Sequence, residues 1–242
     1  MGFINDGRLG DARLRCRISV VIPALNEEKA IGHVVRGIRS LLPGVRVIVV
    51  DDGSTDRTAQ EALKAGARVV RFLENRGQWE ALRVGFRKAL ELGSDVVVSM
   101  DGDGQHDPAD MPSLLKPILA GEADLVIGSR FYRRKRIPGM RGYRYAGIRF
   151  FSWLTRLLTC SKITDVMSGY RAYRAELLAA LVDRLRERRY GVLEATLMAW
   201  RLGARICERP IRFRPRRRSR KGSLRYLVNL CRVLLRALLT RP

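Results

Sequence analysis

Two carboxylates one residue apart follow a short apolar run near the middle of the chain. The run is DVVVSM at 95–100, and Asp101 and Asp103 belong to the segment DGDGQ at 101–105 that comes directly after it. A short β-branched run predicts a buried strand, and the glycines predict a turn that ends the strand. Two carboxylates at such a strand end repel each other and are costly to remove from water, so a divalent cation is their natural partner.

Acidic residues also follow two other predicted strands. The strand ISVVI at 18–22 precedes Glu27, and the strand VRVIVV at 45–50 precedes Asp51 and Asp52. The carboxyl ends of parallel strands meet at one edge of a sheet, which is where ligands bind in open α/β proteins. An acidic turn is common by itself, but three acidic strand ends at one edge predict a metal–nucleotide site.

Strands and helices alternate along the first 130 residues. After a first strand that ends at Pro23, helices are predicted from 26, at 57–65, at 78–92 and from 108, and strands at 68–72, 95–100 and 125–128. This alternation predicts right-handed βαβ units and a mainly parallel sheet. Because no GxGxxG or Walker loop follows any strand, a dinucleotide-binding or P-loop enzyme is not indicated.

The pattern is less regular past residue 130. Helices are predicted at 143–158, 191–202 and 224–239, and a strand at 205–213. The expected organisation is an N-terminal extension at 1–17, a single α/β domain at 18–222 with a mainly parallel central sheet, and a basic, amphipathic C-terminal helix at 223–242. The arginines of that last helix are not typical of a membrane span, which needs about 20 largely apolar residues. Packing on the domain's own core and a position at a membrane interface stay open for it.

The positive charge is concentrated in two blocks. The chain holds 47 Lys and Arg against 24 Asp and Glu, a formal net charge of +23. Residues 130–164 hold ten of the basic residues and residues 209–242 hold twelve, and neither block holds an acid. Aromatic and leucine residues interleave with both blocks, which suits an anionic membrane surface at least as well as a nucleic acid.

Cysteine spacing and the N-terminus give an expectation about location. The four cysteines lie far apart without zinc-site or disulfide-framework spacing, and the first residues lack an apolar core of signal-peptide length. We therefore expect a cytoplasmic protein, peripheral at the cytoplasmic face of the membrane. A membrane-embedded partner subunit is a further candidate partner.

Six segments taken together resemble the family 2 glycosyltransferases, in particular the polyprenyl-phosphate sugar transferases of the dolichol-phosphate mannose synthase type. They are VVIPALNE at 20–27, VVDDGSTD at 49–56, NRGQ at 75–78, MDGDGQHDP at 100–108, GSR at 128–130 and TDVMSGYR at 164–171. The resemblance implies a nucleotide-sugar transferase (GT-A-like) fold. It also implies inverting, Mg²⁺- or Mn²⁺-dependent transfer from a nucleotide-diphosphate sugar to a polyprenyl phosphate.

The resemblance assigns roles to residues of this chain. A nucleoside pocket is implied for Pro23, Ala24, Leu25 and Glu27, with Asp51 and Asp52 at the base or ribose. Asp101 is implied beside the ribose and diphosphate, and Asp103 and Gln105 as metal ligands. The implied phosphate-binding residues, which would hold the donor and lipid phosphates, are Arg130, Arg144, Arg218 and Ser223. Asp101, Asp103, Arg130 and Arg144 would together form the catalytic set.

Two other functions are compatible with parts of the sequence. Transfer to a soluble or glycan hydroxyl would need a carboxylate base near the acceptor, such as Asp165. Asp165 and Arg171 line the acceptor side or form a structural ion pair, and both alternatives are open. A nucleic-acid-binding protein would explain the charge but not three acidic strand ends, so nucleic acid is not an expected partner. His33 and His106 are expected to be structural, the latter as a loop contact. The donor base and sugar stay open.

Overall fold

The computed structural model describes residues 16–132, 137, 140–185, 191–214 and 232. The predicted N-terminal extension at 1–17 lies outside the described residues except for its last two, and the predicted helix at 223–242 lies outside them except for Arg232. Arg218 and Ser223 are also outside. Within the described residues, no helix has the length and apolar character that crossing a bilayer requires.

The described part of the chain forms a seven-stranded sheet with helices on both faces. Its order is β3-β2-β1-β4-β6-β5-β7, and all neighbouring pairs are parallel except the two that involve β6. The strands are β1 Ile18–Ala24, β2 Arg46–Asp51, β3 Arg68–Arg71, β4 Val96–Ser99, β5 Leu125–Ser129, β6 Arg171–Arg174 and β7 Ile206–Pro210. The predicted α/β fold with a mainly parallel sheet is therefore confirmed.

Seven α-helices lie within the described residues. They are α1 Ile31–Leu41, α2 Thr58–Lys64, α3 Gln78–Glu91, α4 Met111–Leu119, α5 Gly142–Thr159, α6 Ala175–Val182 and α7 Gly191–Arg201. A short 3₁₀ turn at Pro108–Asp110 leads into α4. Alternate residues of the strands face opposite sides. In β1, Val20 and Ile22 belong to the core cluster that includes residues of α1, α2 and α4, and Val21 belongs to the cluster that includes residues of α3, α5, α6 and α7. Burial on both faces is why these strands read as continuous apolar runs.

β1 runs further than predicted. The sequence indicated a strand that stops at Pro23, but Pro23 pairs with Val50 and Ala24 pairs with Asp51 of β2. The other neighbour, β4, pairs with β1 only as far as Val21. Pro23 therefore lies where β1 has a hydrogen-bonded strand on one side only, and there a residue without an N–H is tolerated.

α1 begins at Ile31, later than the predicted start at Asn26. Asn26 adopts a left-handed conformation with φ 55, which asparagine tolerates better than most residues. Its side-chain oxygen accepts the N–H of Thr55 at 2.9 Å instead of capping a helix, and its own N–H donates to the Ser54 hydroxyl at 2.9 Å. The loop after β1 is thus tied to the loop after β2.

The antiparallel strand β6 was not predicted. It lies between β4 and β5, and its sequence RAYR contains no apolar run. Arg171 at its start is fully buried. Its guanidinium donates to the carbonyl oxygens of Ser168 at 2.7 Å and Val166 at 2.6 Å, and to the Thr196 hydroxyl at 2.9 Å. Arg171 therefore stabilises the fold at this point. The structural ion pair of Asp165 is formed with Arg130 and not with Arg171.

The strand predicted at 205–213 is shorter and is followed by a crossing segment. β7 ends at Pro210, and Ile211 then donates its N–H to the Ser129 carbonyl at 3.1 Å. Phe213 forms an antiparallel bridge with His106, and the Arg214 N–H donates to the Gln105 carbonyl at 2.9 Å. The first residues of the second basic block therefore lie against the loop that holds Asp101 and Asp103.

Candidate active site

The three acidic strand ends predicted from the sequence lie side by side. β2, β1 and β4 are adjacent and parallel, so their carboxyl ends share one edge of the sheet. The Asp52 N–H donates to the Ala24 carbonyl at 2.8 Å, and the Met100 N–H donates to the Val21 carbonyl at 3.1 Å. The backbone pairing thus continues past the strands and fixes the loops relative to one another.

Gly102, which separates Asp101 from Asp103, lies where there is little room for a side chain. A Cβ at this position would lie 3.1 Å from Ile22 Cγ2 and 3.2 Å from Ile31 Cδ1. These distances are shorter than ordinary contacts, so a larger residue would push the turn away from the end of β1. The close approach places Asp101 and Asp103 directly over the sheet edge.

Asp101 is held by neighbours from three segments. Its side chain is 29% exposed, and Oδ1 accepts a hydrogen bond from Gln78 Nε2 at 2.6 Å. Its Oδ2 lies 4.0 Å from Nδ1 of His106. Gly169 packs beside the carboxylate, where a Cβ would lie 3.3 Å from Oδ1. The orientation of Asp101 is therefore set before any ligand binds.

Asp103 carries an unbalanced negative charge. Burial raises the pKa of this carboxyl, and the negative charges of Asp101 and Glu27 raise the pKa further. The Gln105 N–H donates to Asp103 Oδ1 at 3.0 Å, which partly offsets that cost.

The oxygen donors at this edge fit a hard divalent cation. Two carboxylates, with Gln105 in the same turn, would supply the oxygen ligands that such a cation prefers. Among the described residues, no three His, Cys, Asp or Glu side chains are grouped so that they could hold a metal ion. Mg²⁺ commonly binds to proteins through one or two carboxylates together with substrate phosphates, and Asp103 and Gln105 stay the predicted ligands.

Asp51 and Asp52 are directed at the protein itself. Asp51 is fully buried, accepts the Ser54 N–H at 2.9 Å and lies 3.3 Å from Nε of Arg71. Asp52 is 3% exposed and accepts the N–H groups of Arg76 at 2.7 Å and Gly77 at 3.0 Å. Both carboxylates therefore shape the loops of the predicted nucleoside pocket. Direct contact with base or ribose stays a prediction, and the full burial of Asp51 leaves that residue no exposed atom for it in this conformation.

The other residues predicted to line the nucleoside pocket differ in exposure. Pro23 and Ala24 are buried in β1, whereas Leu25 is 41% exposed at the first position after the strand. Glu27 is partly buried, and its N–H donates to the Thr58 hydroxyl at 2.8 Å. Of these residues, those in the loop that begins at Leu25 are the accessible ones. Their contacts with the nucleoside stay predictions.

Arg130 is part of a buried ion pair. It is 5% exposed, and its Nε and NH2 donate to the two carboxylate oxygens of Asp165 at 2.6 and 2.8 Å. The Arg130 backbone N–H donates to the same carboxylate at 3.1 Å. The guanidinium lies over the rings of Phe131 and Phe213, at 5.8 and 5.3 Å from their centroids. These partners fix the orientation of Arg130, and its contact with phosphate stays a prediction.

Arg144 lies in the first turn of α5 and is partly buried. The next residue, Tyr145, packs edge-on against Phe131 with ring centroids 5.7 Å apart. Phe131 directly follows Arg130, so the start of α5 and the end of β5 belong to one cluster. The two arginines that the sequence assigned to phosphate therefore belong to segments that contact each other, and their joint contact with phosphate stays a prediction.

Several side chains of this site were not assigned roles from the sequence. Gln78 lies in one of the family-like segments, and its contact with Asp101 could have been sought there. Glu208 accepts the N–H groups of Thr164 at 2.8 Å and Asp165 at 2.9 Å, and it gives no local sequence signal. Burial raises the pKa of the Glu208 carboxyl, while these hydrogen bonds favour its charged form.

The two histidines have different surroundings. His33 is exposed on α1. His106 is 4% exposed and lies between the rings of Tyr170 and Phe213, at centroid distances of 5.3 and 5.6 Å. Burial lowers the pKa of His106, so its neutral form is favoured. The ring fills the space behind the loop that holds Asp101.

The sequence of residues 19–182 matches the family described as Glycosyl transferase family 2. The chain belongs to this family. It is therefore an enzyme, a glycosyltransferase, and the predicted resemblance is confirmed. The undecaprenyl-phosphate mannosyltransferase of Micrococcus luteus is 37% identical over 209 residues, which cover 81% of this chain and 83% of the relative. The UDP-N-acetylglucosamine–dolichyl-phosphate N-acetylglucosaminyltransferase of Methanococcus voltae is 33% identical over 213 residues, which cover 81% of this chain and 84% of the relative.

Solved structures of the same fold contain ligands. The glucosyl-3-phosphoglycerate synthase from Mycobacterium tuberculosis, in complex with Mn²⁺, UDP and phosphoglyceric acid, has a TM-score of 0.73 and 29% identity to this glycosyltransferase. The similarity covers 98% of this chain and 83% of the synthase. Another structure of that synthase contains Mg²⁺ and UDP. The predicted nucleotide-sugar transferase (GT-A-like) fold is thereby confirmed.

Proposed function

We propose that this enzyme transfers a sugar from a nucleotide-diphosphate sugar to the phosphate of a polyprenyl lipid, with inversion at the anomeric carbon and with Mg²⁺ or Mn²⁺ as cofactor. The names of the relatives from Micrococcus luteus and Methanococcus voltae support a polyprenyl phosphate acceptor. The UDP complexes of the structurally similar synthase support a nucleotide-linked donor.

The observation that carries the choice of acceptor is the bonding of Asp165. A hydroxyl acceptor needs a base to remove its proton, and Asp165 was the candidate for that task. Its side chain is fully buried, and both carboxylate oxygens accept hydrogen bonds from Arg130. A carboxylate held in this way is not presented to an incoming hydroxyl. A phosphate monoester needs no such base, since it is already anionic near neutral pH.

The proposed reaction is a direct displacement. An oxygen of the acceptor phosphate attacks the anomeric carbon, the bond from that carbon to the donor diphosphate breaks, and the nucleoside diphosphate leaves with the electron pair. No proton has to be transferred. The protein's task is then alignment of the two substrates and stabilisation of the charge on the leaving diphosphate.

The divalent cation would be held by Asp103 and Gln105, with Asp101 beside the donor ribose and diphosphate. When bound, the cation would neutralise charge on the leaving diphosphate. The chain's own part is to prepare the oxygen ligands: Gln78 orients Asp101, and the Gln105 N–H orients Asp103. Arg130 and Arg144 would bind the acceptor phosphate from the other side.

The exposed face of α5 supports a membrane-bound acceptor. Phe150, Trp153 and Leu157 are 48%, 56% and 64% exposed, and their spacing places them on one face of the helix. We call these three residues the α5 stripe. Arg149 and Arg156 are exposed beside it. Aromatic and leucine side chains flanked by arginines suit the interface of an anionic membrane, and Arg144 lies at the start of the same helix.

A second candidate function is transfer to a soluble acceptor that carries a phosphate. The observation that favours it is the likeness to the synthase crystallised with phosphoglyceric acid, which extends over 98% of this chain. In that case Arg130 and Arg144 would bind the phosphate of a small molecule, and the α5 stripe would have no part in the reaction.

The experiment is a transfer assay with sugar-labelled nucleotide donors and Mn²⁺. Polyprenyl phosphate in detergent should take up label into the organic phase, and the matched polyprenol, which differs only by the phosphate, should not. Label transferred equally to both lipids would refute the phosphate acceptor. A thermal-shift screen selects the donor first, since a ligand at 100 times its Kd stabilises the folded state by about 2.7 kcal/mol.

A further inference from the structure

Glu208 is a buried acid on an edge strand of the basic half of the molecule. It is 6% exposed and lies in β7, opposite Ile127 of β5. One carboxylate oxygen accepts the N–H groups of Thr164 at 2.8 Å and Asp165 at 2.9 Å, and the other accepts the Thr164 hydroxyl at 2.7 Å. Three donors converge on one side chain, and all three come from two consecutive residues of one loop.

The two residues that Glu208 holds are the neighbours of the Arg130 segment. The Thr164 hydroxyl lies 2.7 Å from the Ser129 hydroxyl, and Ser129 directly precedes Arg130. The Asp165 carboxylate accepts three hydrogen bonds from Arg130, two from the guanidinium and one from the backbone. Glu208 therefore fixes the Thr164–Asp165 backbone at the point where its side chains contact Ser129 and Arg130.

The arrangement leaves the guanidinium little freedom. A planar guanidinium held by two parallel N–H···O bonds has a defined plane, and that plane is also set by the rings of Phe131 and Phe213. Rotation of the Thr164–Asp165 peptide would move the Asp165 carboxylate and the Arg130 plane together. Glu208 is the group that opposes this rotation.

We infer that Glu208, acting through Thr164 and Asp165, is the positioning residue that orients Arg130 toward the acceptor phosphate. The inference deepens the proposed function and rests on its assignment of Arg130 to that phosphate. Glu208 touches neither substrate in this account. Its removal should therefore weaken use of the acceptor without weakening binding of the donor.

The test is a double-mutant cycle of Glu208→Ala and Arg130→Lys. We expect Glu208→Ala to lower kcat/KM for the acceptor about 10- to 100-fold, the size of loss that misplacement of a positioning group produces, with donor affinity unchanged. In the Arg130→Lys background the same change should have little further effect. Glu208→Gln, which keeps one oxygen acceptor for the two N–H groups, should restore part of the activity.

A matched control is Asp124→Asn. Asp124 also joins β5 to β7 through a carboxylate, since it accepts the Arg205 N–H at 2.9 Å, but it precedes β5, whereas Arg130 follows the other end of that strand. It should lower stability and leave kcat/KM for the acceptor unchanged. Losses that simply multiply in the double mutant, or an equal loss of donor affinity, would overturn the positioning role.

The outcome separates this inference from the proposed function. If the wild-type enzyme ignores polyprenyl phosphate and uses 3-phosphoglycerate, the lipid acceptor is wrong, and the same cycle measured with 3-phosphoglycerate still tests Glu208. A readout without any acceptor is hydrogen exchange at Nε of Arg130, with the resonance assigned from its absence in Arg130→Lys. Exchange should be slow in the wild type and Glu208→Gln and faster in Glu208→Ala. Unchanged exchange at Nε of Arg130 in Glu208→Ala would refute the role of Glu208 in positioning Arg130.

Discussion

Asp101 and Asp103 lie in different environments although one residue separates them. Asp101 accepts a hydrogen bond from Gln78 and is partly open to solvent, whereas burial and the charge of Asp101 raise the pKa of Asp103. The ionised form of Asp103 is therefore costly in the absence of a cation. A bound divalent ion would favour that ionised form.

Asp103→Asn tests this difference. The variant should lose transfer activity and the thermal shift that Mn²⁺ and nucleotide produce, while its melting temperature without metal should equal or exceed that of the wild type. The reason is that the amide keeps the oxygen acceptor for the Gln105 N–H and removes a charge that Asp101 repels. Differential scanning fluorimetry with and without Mn²⁺ measures both effects.

The control for that variant is Asp107→Asn in the same loop. Asp107 accepts the Ala109 N–H at 3.0 Å and pairs with Arg212, so this change should lower the melting temperature slightly and preserve the response to Mn²⁺. Wild-type activity in excess chelator, or an active Asp103→Asn enzyme, would contradict the metal site.

At the residue scale, the sequence located the acids but not their partners. Acidic residues after apolar runs predict a site at the sheet edge because strand ends are recognisable from local patterns. The Arg130–Asp165 pair and the Glu208 contacts join residues far apart in the chain, and such contacts depend on strand order. That is why Asp165 was considered as a catalytic base and Glu208 was not considered at all.

At the scale of elements, the β5–β7 pair shows how an edge strand is fixed. Asp124 precedes β5 and accepts hydrogen bonds from the Arg205 backbone and guanidinium, and Arg174 lies 3.2 Å away. Hydrogen bonds from Arg205 lower the pKa of Asp124 to about 2. This group therefore stabilises the fold at pH values above its unfolded pKa of about 4, and the contribution is lost as the pH falls toward 2.

Asp124→Asn should therefore destabilise the protein in a pH-dependent way. Because the Arg205 side chain is 56% exposed, solvent screening reduces the effect, and we expect the free energy of unfolding at pH 7 to fall by about 1 kcal/mol. The difference in the free energy of unfolding between variant and wild type should become smaller below about pH 4. Urea unfolding of both proteins at several pH values between 7 and 3 measures this difference.

Asp183→Asn is a suitable comparison, since the Asp183 side chain is 73% exposed in its pair with Arg87 and its removal should change little. If the difference in the free energy of unfolding between Asp124→Asn and the wild type stays constant down to pH 3, the charge of Asp124 is not the source of its stabilising effect.

The predictability of the elements follows from their local patterns. The five strands with apolar runs, β1 to β5, were predicted close to their observed bounds. β6 was missed because its burial depends on Arg171, whose charge is satisfied by backbone carbonyls that only the folded chain brings near. The predicted start of α1 was wrong because the Asn26 side chain accepts a hydrogen bond from Thr55, in the loop after β2, and does not cap the helix.

At the scale of the whole molecule, the enzyme combines an acidic strand edge with a strongly basic C-terminal half. The described part of that half places Arg130, Arg144 and the α5 stripe on connected elements. This arrangement suits an enzyme that draws a water-soluble donor to the sheet edge and a lipid phosphate from a membrane surface. Except for Arg232, the predicted C-terminal helix lies outside the described residues, and within them α5 carries the surface that suits a membrane.

Replacement of the α5 stripe should weaken membrane binding. Each Lys or Arg near an anionic surface contributes about 1 kcal/mol, so we expect the wild type to co-sediment with anionic vesicles at low salt. Burial of Phe150 and Trp153 in the interface adds a part that salt does not screen. The double variant Phe150→Ser, Trp153→Ser should therefore dissociate from the vesicles at a lower salt concentration than the wild type.

The comparison for the stripe is Trp200→Ser, which removes an aromatic residue that is 39% exposed on α7. It should leave vesicle binding unchanged. If the wild type stays in the supernatant at low salt, the membrane surface is not a partner. If the stripe variant binds normally but melts at a lower temperature, the stripe packs on the protein itself.

The most direct test of the proposed acceptor is a competition within one reaction. The enzyme, Mn²⁺ and the labelled nucleotide sugar identified by thermal shift are incubated with polyprenyl phosphate in detergent and 3-phosphoglycerate at equal concentrations, and the products are separated by solvent extraction and identified by mass spectrometry. Our account predicts that the label enters the organic phase as a polyprenyl-phosphate sugar, with one nucleoside diphosphate released for each sugar transferred. Label recovered in the aqueous phase as a glycosylated phosphoglycerate, with none on the lipid, would contradict it.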